Sequence, residues 1–463
     1  MNVLNLLGFL VLASTVPLAL GEGAGLQAYE GLFEYEGGST VELAVSAKDH
    51  RLYALLDGSK YLLRHVEGDR FLNVQDVAVV FLRDEKGHVT GYRVGETATV
   101  MKRLRDDLPN PESRWFARKP NADGTIAADY QPPPDLNDGL PVADLSGVPI
   151  NQAQVKAWVQ AVASGEYDRV HSILLVADGH LVVEAYFYQY DRETLHQMRS
   201  ATKSVVALLV GLALARGDLN SLDQPVVSFF PEYGIQNRPP LKERITLRHL
   251  LTQTSGLACN DWDGDSPGNE TKMGVSGDWV KFILDLPMEA EPGVKGSYCS
   301  GGVILLGRMV EKATGMPLAG FAKQFLFDPL GIESFRWRFV PDASSANTFC
   351  QLYLRPRDMV KLGMLVANQG RWKDRQVVPA TWIQAMSGKY SRLDDTEYGY
   401  LWWHKWIGMN GKRYDALTAT GNGGQKIQIW KDLDLLTVFT GGNYNQSSPV
   451  NAMLGRFVLP LWK

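Results

Sequence analysis

Residues 200–217 read SATKSVVALLVGLALARG, and this stretch decides the fold of the chain. The segment after Lys203 is apolar on nearly every side and ends in Gly217, which is typical of a helix buried all round. Residues three apart share one helix face, so the Lys203 amine can approach the Ser200 hydroxyl across a single turn. The free N–H groups and partial positive charge of a helix start favour an alkoxide or an oxyanion there. We therefore predict a buried helix that starts at Ser200, with Ser200 as the nucleophile.

A second interpretation of the same residues is structural. Ser200 would then cap the helix, and Lys203 would be a solvated residue of its first turn. The serine–lysine spacing alone does not distinguish the two, because about one such match is expected by chance in a chain of this composition. To act as a base, an ordinary lysine with a pKa near 10.4 must lose its proton, which costs roughly 4 to 5 kcal/mol at pH 7. Burial and neighbouring charged or phenolic groups would have to lower that cost.

Another candidate group lies where a polar loop meets a predicted helix. The loop 291–297 leads into Tyr298 and Ser300, and residues 301–315 follow with a helical pattern. The Tyr298 hydroxyl could relay a proton between the nucleophile and a leaving group. Alternatively, Tyr298 packs against the helix that it precedes, which is the commoner fate of a single tyrosine.

The segment before the strand predicted at 425–430 is rich in glycine and contains Asn422, Gly423 and Gly424. Glycines allow a ligand or another backbone to lie close to a strand edge. The Gln425 N–H is therefore predicted to be an oxyanion donor beside that of the nucleophile. A bulge or a tight entry into the strand would explain the glycines as well.

Two hairpins far apart in the chain predict the main sheet. One has apolar runs on either side of Asp178-Gly179, which favours a type I′ turn, and the other pairs 425–430 with 435–440. Neither hairpin is stable alone, so we expect both in one antiparallel sheet, with the middle of the chain as a helical subdomain. The result is an α+β fold whose cleft between sheet and helices is the expected site.

The chain divides into three parts. Short alternating strands with glycine turns over 26–105 predict a small all-β domain. Polar and proline-rich sequence over 106–145 predicts a linker. The remaining domain, 146–463, begins with a predicted helix at 151–165 and closes with one at 449–459.

The N-terminal sequence predicts export. An apolar run ends in a small-x-small pattern, so residues 1–21 are interpreted as a signal peptide of a periplasmic or secreted protein. No Lys or Arg precedes the run, and the alternative is an uncleaved N-terminal membrane anchor. The cysteines, Cys259, Cys299 and Cys350, are too few for a disulfide framework. An exported chain could hold one bridge between Cys259 and Cys299.

Composition excludes several classes of function. The 463 residues carry a formal charge of -4 and no long Lys/Arg run, so neither a nucleic acid nor a membrane beyond the export signal is an expected partner. The chain has no HExxH, Walker A or GxSxG motif, and we predict no metal and no cofactor. The acidic stretch 261–265 departs from a calcium loop because Lys272 stands where a bidentate Glu is needed. It is interpreted as a solvated loop near the cleft mouth.

Together these elements resemble the penicillin-recognising serine hydrolases, which include class C β-lactamases, DD-peptidases, family VIII esterases and 6-aminohexanoate-dimer hydrolases. The resemblance covers about 170–463 and implies a β-lactamase/transpeptidase-like fold. It implies that Ser200 and Lys203 hold the roles of nucleophile and base, and that Tyr298 and Ser300 match the Tyr-x-Ser element. The third element, Lys-Thr-Gly or His-x-Gly in the family, falls on 422–424 and matches only in part.

The resemblance implies a serine hydrolase that forms an acyl-enzyme on Ser200, with a small ester, amide or peptide as substrate. Asn422 stands where the family has a cationic or imidazole group, which disfavours a dedicated β-lactamase or D-Ala-D-Ala carboxypeptidase. The aromatic strip 398–403 is more similar to the esterase and amide hydrolase branches and would line the cleft, unless it is core packing. The N-terminal domain resembles lipocalin-like modules. A non-catalytic receptor for penicillin or peptide is the alternative of another class.

Overall fold

The computed structural model describes residues 25–34, 40–56, 59–97, 99–121, 123–126, 128–337 and 351–461. The predicted signal peptide at 1–21 and Cys350 lie outside these residues. Among the helices that the structure describes, none has both the length and the apolar character needed to cross a bilayer.

The N-terminal part is a closed antiparallel barrel. Its strands are β1 (Gly31–Glu34), β2 (Thr40–Val45), β3 (Leu52–Leu56), β4 (Ser59–Glu67), β5 (Arg70–Leu72), β6 (Ala78–Arg83), β7 (Val89–Val94) and β8 (Met101–Arg105). Each strand pairs with the next, and β8 closes the barrel on β1. Aromatic rings 4.6 to 5.4 Å apart fill the interior: Tyr29, Phe33, Phe71, Phe81 and Tyr92. The predicted all-β region is confirmed, and its core is packed with side chains.

The larger part mixes helices and strands. Its helices are α1 (Gln152–Ala163), α2 (Thr202–Arg216), α3 (Leu247–Leu251), α4 (Glu270–Gly274), α5 (Trp279–Asp285), α6 (Ser300–Thr314), α7 (Leu318–Ala322), α8 (Pro356–Ala367), α9 (Ala380–Met386) and α10 (Val450–Met453). Its strands are β9 (Val170–Ala177), β10 (His180–Tyr186), β11 (His196–Gln197), β12 (Phe335–Trp337), β13 (Leu352–Leu354), β14 (Arg371–Trp372), β15 (Arg375–Gln376), β16 (Ser391–Leu393), β17 (Thr396–Tyr398), β18 (Trp403–Met409), β19 (Lys412–Gly421), β20 (Gln425–Trp430) and β21 (Leu435–Gly441).

The main sheet joins the two predicted hairpins. Its strand order is β10-β9-β21-β20-β19-β18-β17-β16, and β21 pairs with β9 so that Leu436 lies opposite Val176. Asp178 and Gly179 have φ angles of 48° and 70°, as a type I′ turn requires. The antiparallel sheet and the α+β fold are therefore confirmed.

Each face of the sheet is covered. Ile427 and Leu436 belong to the core that includes α8 and the helical subdomain, whereas Leu175 and Phe439 belong to the core that includes α1 and the C-terminal segment. The closing helix predicted at 449–459 is only α10, followed by a π turn and a 3-10 turn.

The segment 106–145 packs along the larger domain. The Arg357 guanidinium donates a 2.8 Å hydrogen bond to Asp138 Oδ2 and a 3.2 Å bond to the Pro134 carbonyl. Because Arg357 is buried, these bonds hold this segment against α8.

The barrel also contacts the larger domain. Lys60 of β4 donates a hydrogen bond of 2.5 Å to the Arg114 carbonyl, and its ammonium lies 4.8 Å from the Tyr188 ring centroid. The barrel is thus docked through a cation held over an aromatic ring.

Candidate active site

The predicted nucleophile lies in a tight turn before α2. Residues Arg199–Ala201 form a short 3-10 helix, so the α-helix predicted from Ser200 starts two residues later, at Thr202. Neither helix start has a side-chain capping bond. Lys203 is only 8% exposed and donates a 3.2 Å hydrogen bond to Ser200 Oγ. This geometry does not fit the alternative in which Ser200 is a cap and Lys203 is solvated.

Tyr298 completes a cluster with these two residues. The Lys203 ammonium lies 4.8 Å from the centroid of the Tyr298 ring. Tyr298 is buried at the entry to α6, at the position that the loop and helix pattern predicts. The structure therefore brings together a hydroxyl, an ammonium and a phenol.

Ser300, the first residue of α6, is held by two carboxylates. Its N–H donates to Asp261 Oδ2 at 2.7 Å, and its hydroxyl donates to Glu270 Oε2 at 3.0 Å. The Glu270 N–H in turn donates to Asp261 Oδ1 at 3.0 Å. The hydrogen bond of the Ser300 hydroxyl is therefore made to Glu270. It fixes the start of α6, two residues after Tyr298.

These carboxylates set the charge state of Lys203. Burial opposes the charged amine, but Tyr298, Glu270 and Asp261 outweigh it and raise the pKa of Lys203 above its ordinary value. Burial, with the neighbouring charge of Glu270, raises the pKa of Asp261 to about 7. Near neutral pH, Lys203 is therefore an ammonium, and Asp261 exchanges its proton.

A disulfide ties the acidic loop to the Tyr298 segment. Cys259 and Cys299 are bonded, the pairing considered possible from the sequence. The Asp261 N–H also donates to the Tyr298 carbonyl at 2.8 Å. The prediction of a wholly solvated loop is wrong for Asp261, whose carboxylate faces Ser300. The cysteine positions could have predicted this contact. Asp261 follows Cys259 by two residues, and Cys299 follows Tyr298 directly, so a bridge between the two cysteines brings Asp261 to the Tyr298 segment.

The next residue, Trp262, is stacked on Tyr298. Their rings are 6° from parallel with centroids 5.1 Å apart, and Trp262 is 51% exposed. Trp403 approaches the Tyr298 ring from another side, with centroids 5.8 Å apart. An indole that is half-exposed to solvent thus covers the phenol, and no sequence motif indicates this stacking.

The aromatic strip at 398–403 is divided between site and core. Trp403 contacts Tyr298, whereas the other large rings are at most 2% exposed and pack inside: Tyr398, Tyr400 and Trp402. The core-packing alternative therefore fits most of the strip.

The polar side chains of the segment 422–425 bond to the end of β21 and to the turn after it. The Asn422 amide donates to Asn445 Oδ1 at 2.5 Å, and the Gln425 amide exchanges hydrogen bonds of 2.7 and 3.0 Å with the Gly441 backbone. A Cβ on Gly424 would lie 2.9 Å from Ser448 Oγ, so this glycine is also directed to the C-terminal side. The oxyanion role of the Gln425 N–H stays a prediction.

Gly421 is the residue of this hairpin that borders the nucleophile turn. A Cβ at position 421 would overlap the Met198 carbonyl oxygen, two residues before Ser200. The last residues of β19, before the turn, therefore form the sheet side of the site.

A family profile described as Beta-lactamase matches residues 168–452, more than half of the chain. The chain belongs to the beta-lactamase family. The resemblance stated from the motifs is therefore confirmed.

Two curated relatives and one solved structure illustrate this membership. Esterase EstB of Burkholderia gladioli is 36% identical over 151 residues, which cover 30% of this chain and 38% of that protein. Penicillin-binding protein 4* of Bacillus subtilis is 28% identical over 189 residues, or 37% of this chain and 39% of that protein. Simvastatin synthase of Aspergillus terreus shares the fold with a TM-score of 0.52 at 18% identity, covering 68% of this chain and 98% of that one. The chain spans about two fifths of the length of the two curated relatives.

Two lysines of this beta-lactamase family member lie on the strands that flank β19. Lys426 of β20 donates to Thr420 Oγ1 at 3.1 Å, and Lys405 of β18 lies 4.4 Å from the Trp403 ring centroid. Burial, reinforced by repulsion from Lys405, lowers the pKa of Lys426 to about 8. Burial also lowers the pKa of Lys405. Neither lysine stands out in the sequence, because each lies in a strand and outside the motifs.

The described residues also contain no group of three or more His, Cys, Asp or Glu side chains arranged to hold a metal ion.

Proposed function

We propose that this protein is a serine hydrolase that cleaves ester or amide bonds through an acyl-enzyme on Ser200. One observation carries the proposal. A single ammonium, that of Lys203, lies 3.2 Å from Ser200 Oγ and 4.8 Å from the Tyr298 ring. The hydroxyl and the phenol thus lie around one charged amine, and these are the groups that a Ser nucleophile needs for activation and proton transfer.

Tyr298 serves as the general base in this mechanism. The raised pKa of Lys203 keeps its amine protonated near neutral pH. The ammonium has no free lone pair, so it cannot accept the proton of Ser200. Its positive charge lies beside Tyr298 and can offset the negative charge of a phenolate formed there during the reaction. The phenolate takes the proton of Ser200 Oγ as this oxygen attacks the substrate carbonyl.

The remaining steps return every group to its starting state. The Ser200 N–H, at the start of the helical turn, and a second N–H from the β19–β20 hairpin, predicted to be that of Gln425, hold the oxyanion. Tyr298 then protonates the leaving alcohol or amine as the bond to it breaks. Water next attacks the acyl-enzyme, gives its proton to Tyr298 and releases the acid and the Ser200 hydroxyl.

Active-site labelling tests the nucleophile. A fluorophosphonate probe is expected to label the wild-type protein and Ser204→Ala, but not Ser200→Ala. Ser204 is a matched control because it is a buried serine in the first turn of α2 and donates its hydroxyl to the Leu401 carbonyl. Equal labelling of Ser200→Ala and the wild type would show that another residue is the nucleophile.

Turnover identifies the branch of the family. We favour a carboxylesterase or amide hydrolase, and EstB, an esterase by name, is consistent with this choice. Purified protein should hydrolyse p-nitrophenyl butyrate continuously. Faster turnover of a chromogenic cephalosporin or a D-Ala-D-Ala peptide would instead indicate a β-lactamase or a carboxypeptidase. A stoichiometric burst without turnover would indicate the non-catalytic receptor.

We also propose that the protein is exported to the periplasm or the medium. The Cys259–Cys299 disulfide supports this, because such bridges persist in oxidising compartments. Cell fractionation and N-terminal sequencing of the mature protein test it. Cleavage near residue 21 is expected, whereas an intact N-terminus in the membrane fraction would indicate the anchor.

A further inference from the structure

Helix α3 ends at a glutamine whose backbone lies in the left-handed region. The N–H of Gln253 donates to the Leu250 carbonyl at 3.2 Å, and the N–H of Thr254 donates to the His249 carbonyl at 2.8 Å. This pair of hydrogen bonds is a Schellman motif, in which the left-handed residue is usually glycine. Gln253 occupies that position with a φ angle of 57°.

Glycine ends two other helices of the larger domain. The left-handed residues after α2 and α6 are Gly217 and Gly315, whose φ angles are 80° and 68°. A residue with a side chain is strained in this region, and such residues persist where the surrounding structure fixes them, often at functional sites. A glutamine at position 253 is therefore explained if its side chain makes a contact that glycine cannot make.

The Gln253 side chain makes such a contact beside the proposed general base. Gln253 is only 3% exposed, and its Oε1 accepts the Cys299 N–H at 2.5 Å. Its main-chain carbonyl accepts the Ser297 N–H at 2.8 Å. Gln253 therefore binds the residues on both sides of Tyr298, one through its backbone and the other through its side chain.

Other bonds to this segment involve main-chain atoms alone. The Thr254 carbonyl accepts the Gly293 N–H at 2.8 Å, and the Tyr298 carbonyl accepts the Asp261 N–H at 2.8 Å. Main-chain bonds of this kind do not depend on which side chain the residue carries. The bond from Gln253 Oε1 does, so it can be removed by substitution while the main-chain bonds remain.

Loss of this acceptor would displace the segment that carries Tyr298. The Cys299 N–H is buried, and a buried N–H without a partner is unfavourable, so the chain would shift until this group found another acceptor. Cys299 directly follows Tyr298, and a shift there moves the phenol. A displacement of about 1 Å between reacting groups can lower a rate by about 10²-fold.

We propose that Gln253 is a positioning residue that sets the orientation of Tyr298 towards Ser200 and Lys203. The inference rests on the proposed hydrolase function and adds to it a residue that does not touch the substrate. Gln253 acts by fixing the main chain on both sides of the general base. Its loss should therefore slow proton transfer and leave substrate binding unchanged.

Glycine at position 253 tests the side chain while it suits the backbone. Gln253→Gly fits the left-handed φ and removes Oε1, so the variant should fold normally. Its kcat for p-nitrophenyl butyrate is expected to fall about 10- to 100-fold, with KM within about twofold of the wild-type value.

Gln369→Gly is the matched control. Gln369 is an exposed glutamine just after α8, and its φ angle of 54° is also left-handed. Gln369→Gly should keep the kinetics of the wild type, because this position is not bonded to the Tyr298 segment. An unchanged kcat in Gln253→Gly, or a loss through KM alone, would overturn the proposal.

A double-variant cycle shows whether the effect passes through Tyr298. In a Tyr298→Phe background, the addition of Gln253→Gly should change kcat by less than about twofold, because the phenolic oxygen that Gln253 orients is already absent. A purely structural role predicts the same loss in both backgrounds, and that result would contradict the positioning role.

The kinetics of fluorophosphonate labelling separate this inference from the hydrolase function. Gln253→Gly is expected to reach the same final labelling as the wild type, at a rate about 10- to 100-fold lower. Lower final labelling at the wild-type rate would mean that Gln253 supports folding only, and would overturn this inference alone. No Ser200-dependent labelling of the wild type would overturn the hydrolase function and, with it, the role of Gln253.

Discussion

Two lysines of the larger domain differ in the charges around them, Lys203 on the helical side of the nucleophile and Lys426 on the sheet. On the helical side, Asp261 and Glu270 surround Ser300 and raise the pKa of Lys203. On the sheet, burial and then repulsion from Lys405 lower the pKa of Lys426 to about 8. Burial opposes the charge of both lysines, so the difference comes from their neighbours. A buried lysine therefore has no fixed role, since the charges opposite it decide whether it keeps its proton.

Replacing each lysine should give the largest and clearest contrast. Lys203→Met is expected to lower kcat/KM for p-nitrophenyl butyrate by about 10³-fold, because the ammonium beside Ser200 and Tyr298 is lost. Lys426→Met should have a much smaller effect, because the hydrogen bond of Lys426 is to Thr420 and not to these groups. Steady-state kinetics of both variants measure this. An equal loss in the two variants would show that the two lysines do not differ in the way described.

Tyr298→Phe tests whether Tyr298, rather than Lys203, is the general base on the helical side. Removing the phenolic oxygen should lower kcat by about 10²- to 10⁴-fold, because no group then accepts the serine proton. Tyr390→Phe is the control, since Tyr390 is exposed and donates to the Ala385 carbonyl. Near-normal kcat in Tyr298→Phe, together with an inactive Lys203→Met, would make Lys203 the base.

The helical side is also covalently fixed, and the disulfide allows that to be measured. The double variant Cys259→Ser/Cys299→Ser should lose about 2 to 4 kcal/mol of unfolding free energy, because the bridge closes a loop of about 40 residues. Urea unfolding with and without reductant checks this. The wild type should be sensitive to reductant and the double variant should not, and equal midpoints for all samples would contradict a stabilising bridge.

The smallest expected effect concerns Asp261 and the dependence of stability on pH. Its folded pKa of about 7 lies above the ordinary 3.8, so the folded protein binds the proton more tightly than the unfolded chain between these values. The contribution of Asp261 is therefore present at low pH and is lost as the pH rises towards 7. Asp261→Asn should lose this part of the pH dependence.

Thermal unfolding between about pH 5 and pH 8 measures the difference. Asp265→Asn is the matched control, because Asp265 is an exposed carboxylate of the same loop. A wild-type profile in Asp261→Asn would mean that Asp261 does not titrate in the folded protein as described.

The sequence predicted the residues that local pattern specifies. Ser200 and Lys203 are one helical turn apart, and the apolar residues that follow them predict the buried helix that the structure contains. Tyr298 was found because it stands where a loop meets a helix. The two hairpins predicted the sheet, since an isolated hairpin leaves an apolar face uncovered.

What the sequence did not predict depends on partners that lie far apart in the chain. Asp261 faces inward because the disulfide brings its loop to α6, and an acidic loop without that constraint would be solvated. The direction of the Asn422 side chain depends on Asn445, which comes from the turn after β21. The partner of Lys426, Thr420, likewise follows from the register of β19 and β20.

The contact between Gly421 and the Met198 carbonyl has a consequence for protein engineering. Any side chain at position 421, even a methyl group, would act as a wedge between the sheet and the turn that carries Ser200. Libraries that aim to widen substrate range can therefore vary Trp262, which is exposed, while position 421 is held invariant. The close approach of β19 to the turn that carries Ser200 therefore depends on the absence of a Cβ atom at position 421.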